Sequence, residues 1–369
     1  MLALGKGGPM NIQSTDGQFG VVEGFFGRSW TWKDRKDYAS FCHQHRYTYY
    51  IYAPKNDVFL RRRWTEPWPI ETKINIQKIA VAYETLGVKF GVGLSPYELY
   101  LDLNKDGLNK LTRKIREIND VPCEILCILF DDMRGDIPNI AETQINIVHH
   151  VAEISTAEQI IMCPTYYSYD PVLEKVFGKC PDKYLETIGM GLDKNVDVFW
   201  TGPEVCSKEY PEEHILEVTQ KLQRKPVIWD NYPVNDGAKK SNFLHLMAFE
   251  NHPAKIKNLI KSHVVNPMNQ GWLSRIPLFT LSDAYQTGDD YSPIYSFKKA
   301  CNALCEKKLS DKIIEDMPTF NYVGLLNLKF EDKQDLIRKY QRHTQSPYAN
   351  EIIDWLEGQY TFDPACLTE

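Results

Sequence analysis

The sequence predicts an α/β protein, a (β/α)8 TIM barrel with a helical appendage at its C-terminal side. Three observations carry that prediction. Eight short runs are rich in β-branched and aromatic residues, longer stretches of helical period lie between them, and near residue 309 the character turns helical throughout. The strand candidates are Phe19 to Phe26, Tyr47 to Pro54, Lys89 to Pro96, Glu124 to Asp132, Glu158 to Thr165, Val196 to Pro203, Pro226 to Pro233 and Val264 to Pro267. Their starts lie roughly 28 to 42 residues apart, the size of a strand-helix unit. Most are nearly continuous apolar runs, as strands buried on both faces require.

Between the strands, Ile76, Ile79, Ala80, Tyr83 and Leu86 recur at helical spacing, with Gly87 placed to stop the helix in a left-handed turn. Leu108, Leu111, Ile115 and Ile118 repeat the pattern, as do Ile147, Val148, Val151 and Ile154. Seven helices between eight strands, and another after the last, make a barrel over residues 18–308. Residues 1–17 read as a flexible lead. Residues 309–369 read as a helical extension packed on the barrel, centred on Ile313, Leu336–Ile337 and Ile352–Trp355. The competing architecture, an open doubly wound sheet, usually carries a glycine-rich phosphate loop, which this sequence lacks.

The 369 residues are 43% apolar and 25% charged, the balance of a globular protein. A net charge of −6 gives no cationic footprint for nucleic acid or an anionic membrane. No apolar run approaches the roughly 20 residues of a membrane-spanning helix, and the N-terminal segment has no signal-like apolar region. Nine cysteines, an odd number scattered through apolar stretches such as that around Cys123 and Cys127, read as reduced thiols in a cytoplasmic setting. The pairs His43/His45 and Cys301/Cys305 lack partner ligands at zinc-site spacing, so no metal is expected there. Nothing fixes an oligomeric state.

In such a barrel the chemistry sits at the C-terminal ends of the strands. Here those ends carry Glu23–Gly24, Lys55 with Asn56–Asp57, Asp131–Asp132, Thr165 to Tyr167, Thr201, Trp229 to Asn231, and Asn266. Turn and cap requirements explain Gly, Pro, Ser and Asp at strand ends but not Lys, Trp and Tyr. The sharpest feature is Asp131–Asp132 directly after ILCILF. Neighbouring strand residues face opposite sides, yet at a strand end the backbone can turn both carboxylates into one pocket. Their repulsion would then hold a proton on one of them and make it an acid. The bland reading stays open beside it: they cap the following helix, or bind a cation with Asp136. Trp229, Trp200, Tyr166 and Tyr167 offer flat faces for a pyranose ring, and Asn231, Asp236 and Asn266 offer partners for its hydroxyls. Arg61–Arg62–Arg63 reads as a solvated basic run in a loop.

GVVEGFFGRSW, YIYAPKND, LFDD, CPTYY, WTGPEV, WDNYPVND and NPMNQ, in this order and spacing, resemble glycoside hydrolase family 84, the O-GlcNAcases and bacterial β-N-acetylglucosaminidases. The likeness spans about residues 18 to 300, and seven collinear motifs are far more specific than any one of them. It implies hydrolysis of terminal β-linked N-acetylglucosamine on a glycoprotein or glycan, with the substrate's acetamido group as nucleophile and no cofactor. On that likeness Asp131 orients and polarises the acetamido N–H, Asp132 is the acid and then the base, and Tyr167 hydrogen-bonds the reacting acetamido group. Gly24, through its backbone, and Lys55 hold sugar hydroxyls. Cys163, Thr201, Val205 and Trp229 surround the acetamido methyl, and Asn231, Asp236 and Asn266 grip the acetamido or the outer hydroxyls. Tyr166 takes no role from the resemblance. The alternatives are a non-hydrolytic sugar-binding barrel and a metal-dependent hydrolase built on Asp131, Asp132 and Asp136.

Overall fold

Eight parallel strands close into a barrel in chain order: β1 (Phe19–Glu23), β2 (Tyr49–Tyr52), β3 (Lys89–Leu94), β4 (Ile125–Leu129), β5 (Gln159–Cys163), β6 (Val196–Trp200), β7 (Val227–Asp230) and β8 (Ser262–Val265). The computed structural model describes residues 18–251, 253–360, 362 and 364–368; the expected lead at 1–17 lies outside them. Closure is made by β1 on β8, where Phe19, Gly20 and Val21 pair with His263, Val264 and Val265. A closed parallel barrel replaces the alternative of an open sheet. All eight expected strands form; β1 to β7 are each shorter than the expected run, while β8 begins two residues earlier than expected, at Ser262.

The helices are α1 (Trp32–Gln44), α2 (Ile70–Thr85), α3 (Lys105–Asn119), α4 (Ile140–Ala152), α5 (Pro171–Phe177), α6 (Tyr184–Gly191), α7 (Glu212–Leu222), α8 (Gly271–Thr287), α9 (Pro293–Leu304), α10 (Lys307–Pro318), α11 (Phe330–Gln341) and α12 (Pro347–Leu356). Ile76, Ile79, Ala80 and Tyr83 form the buried stripe of α2, which stops at Gly87 with φ +70°. No helix among the described residues is long and apolar enough to cross a membrane. The nine cysteines are thiols, with no disulfide between them.

Two connections depart from the expected alternation, and the first, from β5 to β6, carries both α5 and α6. Among the described residues between β7 and β8 there is no α-helix, only short 3-10 turns at Lys240–Asn242 and Pro253–Ile256. Pro233, Gly237 and Pro253 punctuate that segment, and its apolar residues from Leu244 to Ala248 serve a second core. Leu244 and Leu246 are fully buried with Met268, Leu273, Phe297, Phe320 and Trp355, apart from the main barrel core. Each such burial contributes about 1.5–3 kcal/mol. The Leu244 N–H donates to the Phe320 carbonyl, and the Leu246 and Met247 N–H groups donate to Asn321 Oδ1, so the connection is stitched to the chain after α10. From α12, Glu351 accepts the Trp272 and Leu273 N–H groups at 3.0 and 2.8 Å, satisfying first-turn donors of α8.

Candidate active site

Strand periodicity decides which strand-end residues reach the pocket. Glu23 points outward, where Arg35 of α1 donates to it at 2.8 and 2.6 Å, and Gly24 faces inward. Asp230 likewise turns out to His263 at 2.9 Å, leaving Trp229 and Asn231 inside. Trp200 is fully buried outside the barrel, its Nε1 bonded to His214 at 2.9 Å, and Tyr166 donates to the Gly178 carbonyl at 2.7 Å. Neither lines the pocket, so of the four aromatic residues read as sugar platforms only Trp229 and Tyr167 do. The same period of two that pairs the strands removes the other two.

All twelve residues to which the family resemblance gives a role line one pocket: Gly24, Lys55, Asp131, Asp132, Cys163, Tyr167, Thr201, Val205, Trp229, Asn231, Asp236 and Asn266. Asp131 lies two residues past the end of β4, after Phe130. Asp132 has φ +56°, in the left-handed region that Asp tolerates better than most residues. That twist is how adjacent carboxyls come to one side. Lys55 Nζ ion-pairs with Asp131 Oδ2 and lies 3.7 Å from Asp132 Oδ2. Burial pushes the Asp132 carboxyl up, Lys55 and Arg61 pull it down, and the Asp131 charge pushes it up. The pair is therefore asymmetric, one carboxyl neutralised by a lysine and the other favouring its proton. Burial also holds the Tyr167 hydroxyl well above its ordinary range, with Asp132 adding to the shift.

Asp136 is not with them. It is exposed and bonded to Arg134 at 2.5 Å, so the three-aspartate cation set read from the sequence does not assemble. Among the described residues no group of three His, Cys, Asp or Glu side chains is disposed to hold a metal ion.

The opposite wall is a fixed chain of amides. The Gly24 N–H donates to Asn266 Oδ1 at 3.2 Å; Asn266 Nδ2 and Trp229 Nε1 donate to Asn231 Oδ1 at 3.0 and 2.9 Å; Asn231 Nδ2 donates to the Val205 carbonyl at 2.8 Å. Each carboxamide nitrogen keeps a second N–H outside these bonds, aimed by neighbours that fix its orientation. Gly24 is required: a Cβ there would stand 2.4 Å from Trp229 Cζ2. Asp236 accepts the Phe26 N–H at 2.7 Å, and burial raises its carboxyl to about 6.

Several lining residues escaped the sequence reading. Phe26, Gly237 and Lys240 lie within or beside motifs already quoted, and that proximity was the available signal. Cys366 and Thr368 gave none: they come from beyond α12, with Cys366 Sγ 3.9 Å from Asp236 Oδ1 and Thr368 Oγ1 3.5 Å from the Tyr167 hydroxyl. With them present the free volume of the pocket is 60 Å³, against 670 Å³ for a neighbouring cavity behind Asn231 and Lys240. Arg61 corrects the reading of a solvated run. Arg62 and Arg63 are exposed, but Arg61 is buried and its guanidinium donates to the Asp132 carbonyl at 3.2 Å.

A parallel barrel with a buried acidic pair and a fixed amide-aromatic wall at its C-terminal rim defines a glycosidase-like barrel. The sequence matches the family described as beta-N-acetylglucosaminidase (NAGidase) over residues 19–320, and the chain belongs to that family, glycoside hydrolase family 84. The chain is 29% identical over 277 residues to the proteins named Protein O-GlcNAcase of Rattus norvegicus and of Mus musculus, covering 73% of itself and 30% of each relative. It thus spans less than a third of those relatives' length. A solved mutant of the O-GlcNAc hydrolase of Thermobaculum terrenum superposes with a TM-score of 0.74 at 30% identity, covering 92% of this chain and 80% of that one.

Proposed function

We propose that this chain is a retaining β-N-acetylglucosaminidase that removes terminal β-linked N-acetylglucosamine, from Ser or Thr of proteins or from glycan ends, by substrate-assisted catalysis. The observation that carries the reading is the asymmetric pair: Lys55 on Asp131, and a buried Asp132 whose carboxyl is held up. A retaining enzyme with a carboxylate nucleophile places it about 5 Å from the acid across the scissile bond, whereas a substrate-assisted one needs no such group. It needs an anion for the acetamido N–H and an acid for the leaving oxygen, and adjacent residues on one strand end supply both.

In the first step the acetamido oxygen bonds to the anomeric carbon as the glycosidic bond breaks. Asp132 delivers its proton to the leaving oxygen, and Asp131 takes the hydrogen bond of the acetamido N–H as positive charge grows there. Attack leaves a cyclic oxazolinium that keeps its N–H on Asp131. Water then bonds to the anomeric carbon as the bond to the acetamido oxygen breaks, and Asp132, now the base, accepts the water's proton. Tyr167, Cys163, Thr201, Val205 and Trp229 enclose the acetamido group, while Gly24, Lys55, Asn231, Asp236 and Asn266 hold it and the ring hydroxyls. An intramolecular nucleophile avoids most of the entropic cost of assembling reactants. The nine thiols support a reducing, cytoplasmic setting. The test is release of 4-methylumbelliferone from its β-N-acetylglucosaminide by wild type and Asp131→Asn, each with and without chelator. Turnover that survives chelation and collapses in the variant supports the reading; no turnover by folded wild type would instead favour a sugar-binding barrel.

A further inference from the structure

Arg61 is the one member of its basic run that is buried, and it is held there from both sides. Asp57 caps the turn at Val58–Leu60 through the Phe59 N–H at 3.0 Å and is itself fixed by the Tyr52 hydroxyl and Trp68 Nε1, at 3.0 and 3.1 Å. The Ser95 N–H after β3 donates to the Leu60 carbonyl at 2.8 Å. The guanidinium sits 5.7 Å from the centre of the Phe26 ring and 5.3 Å from that of Tyr97, so the cation is desolvated against aromatic faces. Its NH2 group donates to the Asp132 carbonyl, while NH1 is buried without a hydrogen-bond partner. A buried cation with an unsatisfied donor is costly for stability alone, and such features concentrate where function requires them.

Asp132 is the residue that needs holding. A non-glycine residue at φ +56° costs on the order of 1 kcal/mol and persists only when its surroundings fix it. We propose that Arg61 is a positioning residue for the acid of this site, clamping the Asp132 main-chain carbonyl so that the left-handed turn keeps the carboxyl aimed at the leaving oxygen. The inference rests on the glycosidase reading above. It assigns Arg61 to the reaction without contact to the substrate.

The groups facing Asp132 are Asp131 beside it, Lys55 and Arg61 from the loop after β2, Tyr167 and Cys163 from β5 and its loop, and Asp236 from the β7–β8 connection. Among these Arg61, like Lys55, pulls the Asp132 carboxyl down. Removing it must therefore raise that carboxyl and move the alkaline limb of the kcat/KM profile to higher pH. Loss of aim should show most where protonation matters most, with a poor leaving group.

The experiment compares wild type, Arg61→Gln and Arg61→Lys on a β-N-acetylglucosaminylated serine peptide and on the 4-methylumbelliferyl glycoside, across pH. For Arg61→Gln the expected loss in kcat/KM is about tenfold larger on the peptide than on the activated glycoside, and the alkaline limb should rise by about one unit. Arg61→Lys should keep the wild-type limb and recover part of the rate. Equal losses on both substrates with an unmoved limb would make Arg61 merely structural and overturn the proposal. Should Arg61→Gln not fold, Arg61→Met, which keeps an apolar stem against Phe26 and Tyr97, takes its place. If neither folds while Arg61→Lys matches wild type on both substrates at every pH, the clamp is likewise refuted. Inactivity of folded wild type on both substrates would sink the glycosidase reading instead, a result distinct from any of these.

Discussion

The half of the pocket built after β2 and β4 is ionic, whereas the half built after β6, β7 and β8 is aromatic and amide, and different forces hold them in place. Lys55, Asp131, Asp132 and Arg61 are kept together by charge at close range in a buried setting, with one backbone twist at Asp132. Trp229, Asn231 and Asn266 are kept together by directional hydrogen bonds that neither need nor change a charge. The ionic half can therefore respond to pH and to charge developing on a substrate, and Trp229, Asn231 and Asn266 can only recognise shape and hydroxyls. On the proposed function this predicts that damage to the first lowers kcat and damage to the second raises KM.

The largest break should come from Asp132→Asn, which lowers kcat about 10² to 10⁴-fold on a serine-linked sugar but far less on the 4-methylumbelliferyl glycoside, whose leaving group needs little protonation. Stopped assays on both substrates read the ratio directly. Asp131→Asn should slow both substrates alike, by about 10²-fold, because polarising the acetamido group precedes departure of any aglycone. A loss confined to one substrate would contradict that division of labour. On the other wall, Trp229→Ala should raise KM about tenfold, roughly 1.4 kcal/mol of binding, with kcat nearly kept. Gly24→Ala should imitate it by pushing the indole aside, since the added carbon has only 2.4 Å of room.

Asp236 sharpens the comparison, being a carboxylate on the recognising side. Its carboxyl sits at about 6, so it is an anionic acceptor above that pH and takes up a proton below it. Binding should weaken as pH falls, with KM about tenfold higher near pH 5; Asp236→Asn should show a raised KM with that pH dependence gone. The smallest effect expected is from deleting residues 364–369, which removes Cys366 and Thr368 from the space beside Asp236 and Tyr167. KM should fall a few-fold with kcat unchanged, and a KM that rises would mean these residues belong to the binding wall.

Pattern along the chain sufficed for eight parallel strands and, with the strand-end motifs, for most of the pocket floor, while closure was seen only in the folded chain. Its eight apolar runs could be buried only as parallel strands covered on both faces, and strand ends then had to carry whatever chemistry the chain has. What it could not determine was decided by contacts distant along the chain. Whether Trp200 or Trp229 faced the pocket depended on register, because a shift of one residue reverses every side chain. The segment after β7 gave up a helix because Leu244 and Leu246 found their core in residues some 75 positions later. Arg61 was indistinguishable from Arg62 and Arg63 until the fold set it between Phe26 and Tyr97 and against the Asp132 carbonyl. Local pattern fixes which residues can be buried. Only the closed structure fixes which partner each one is buried against, and that partner decides charge, aim and access.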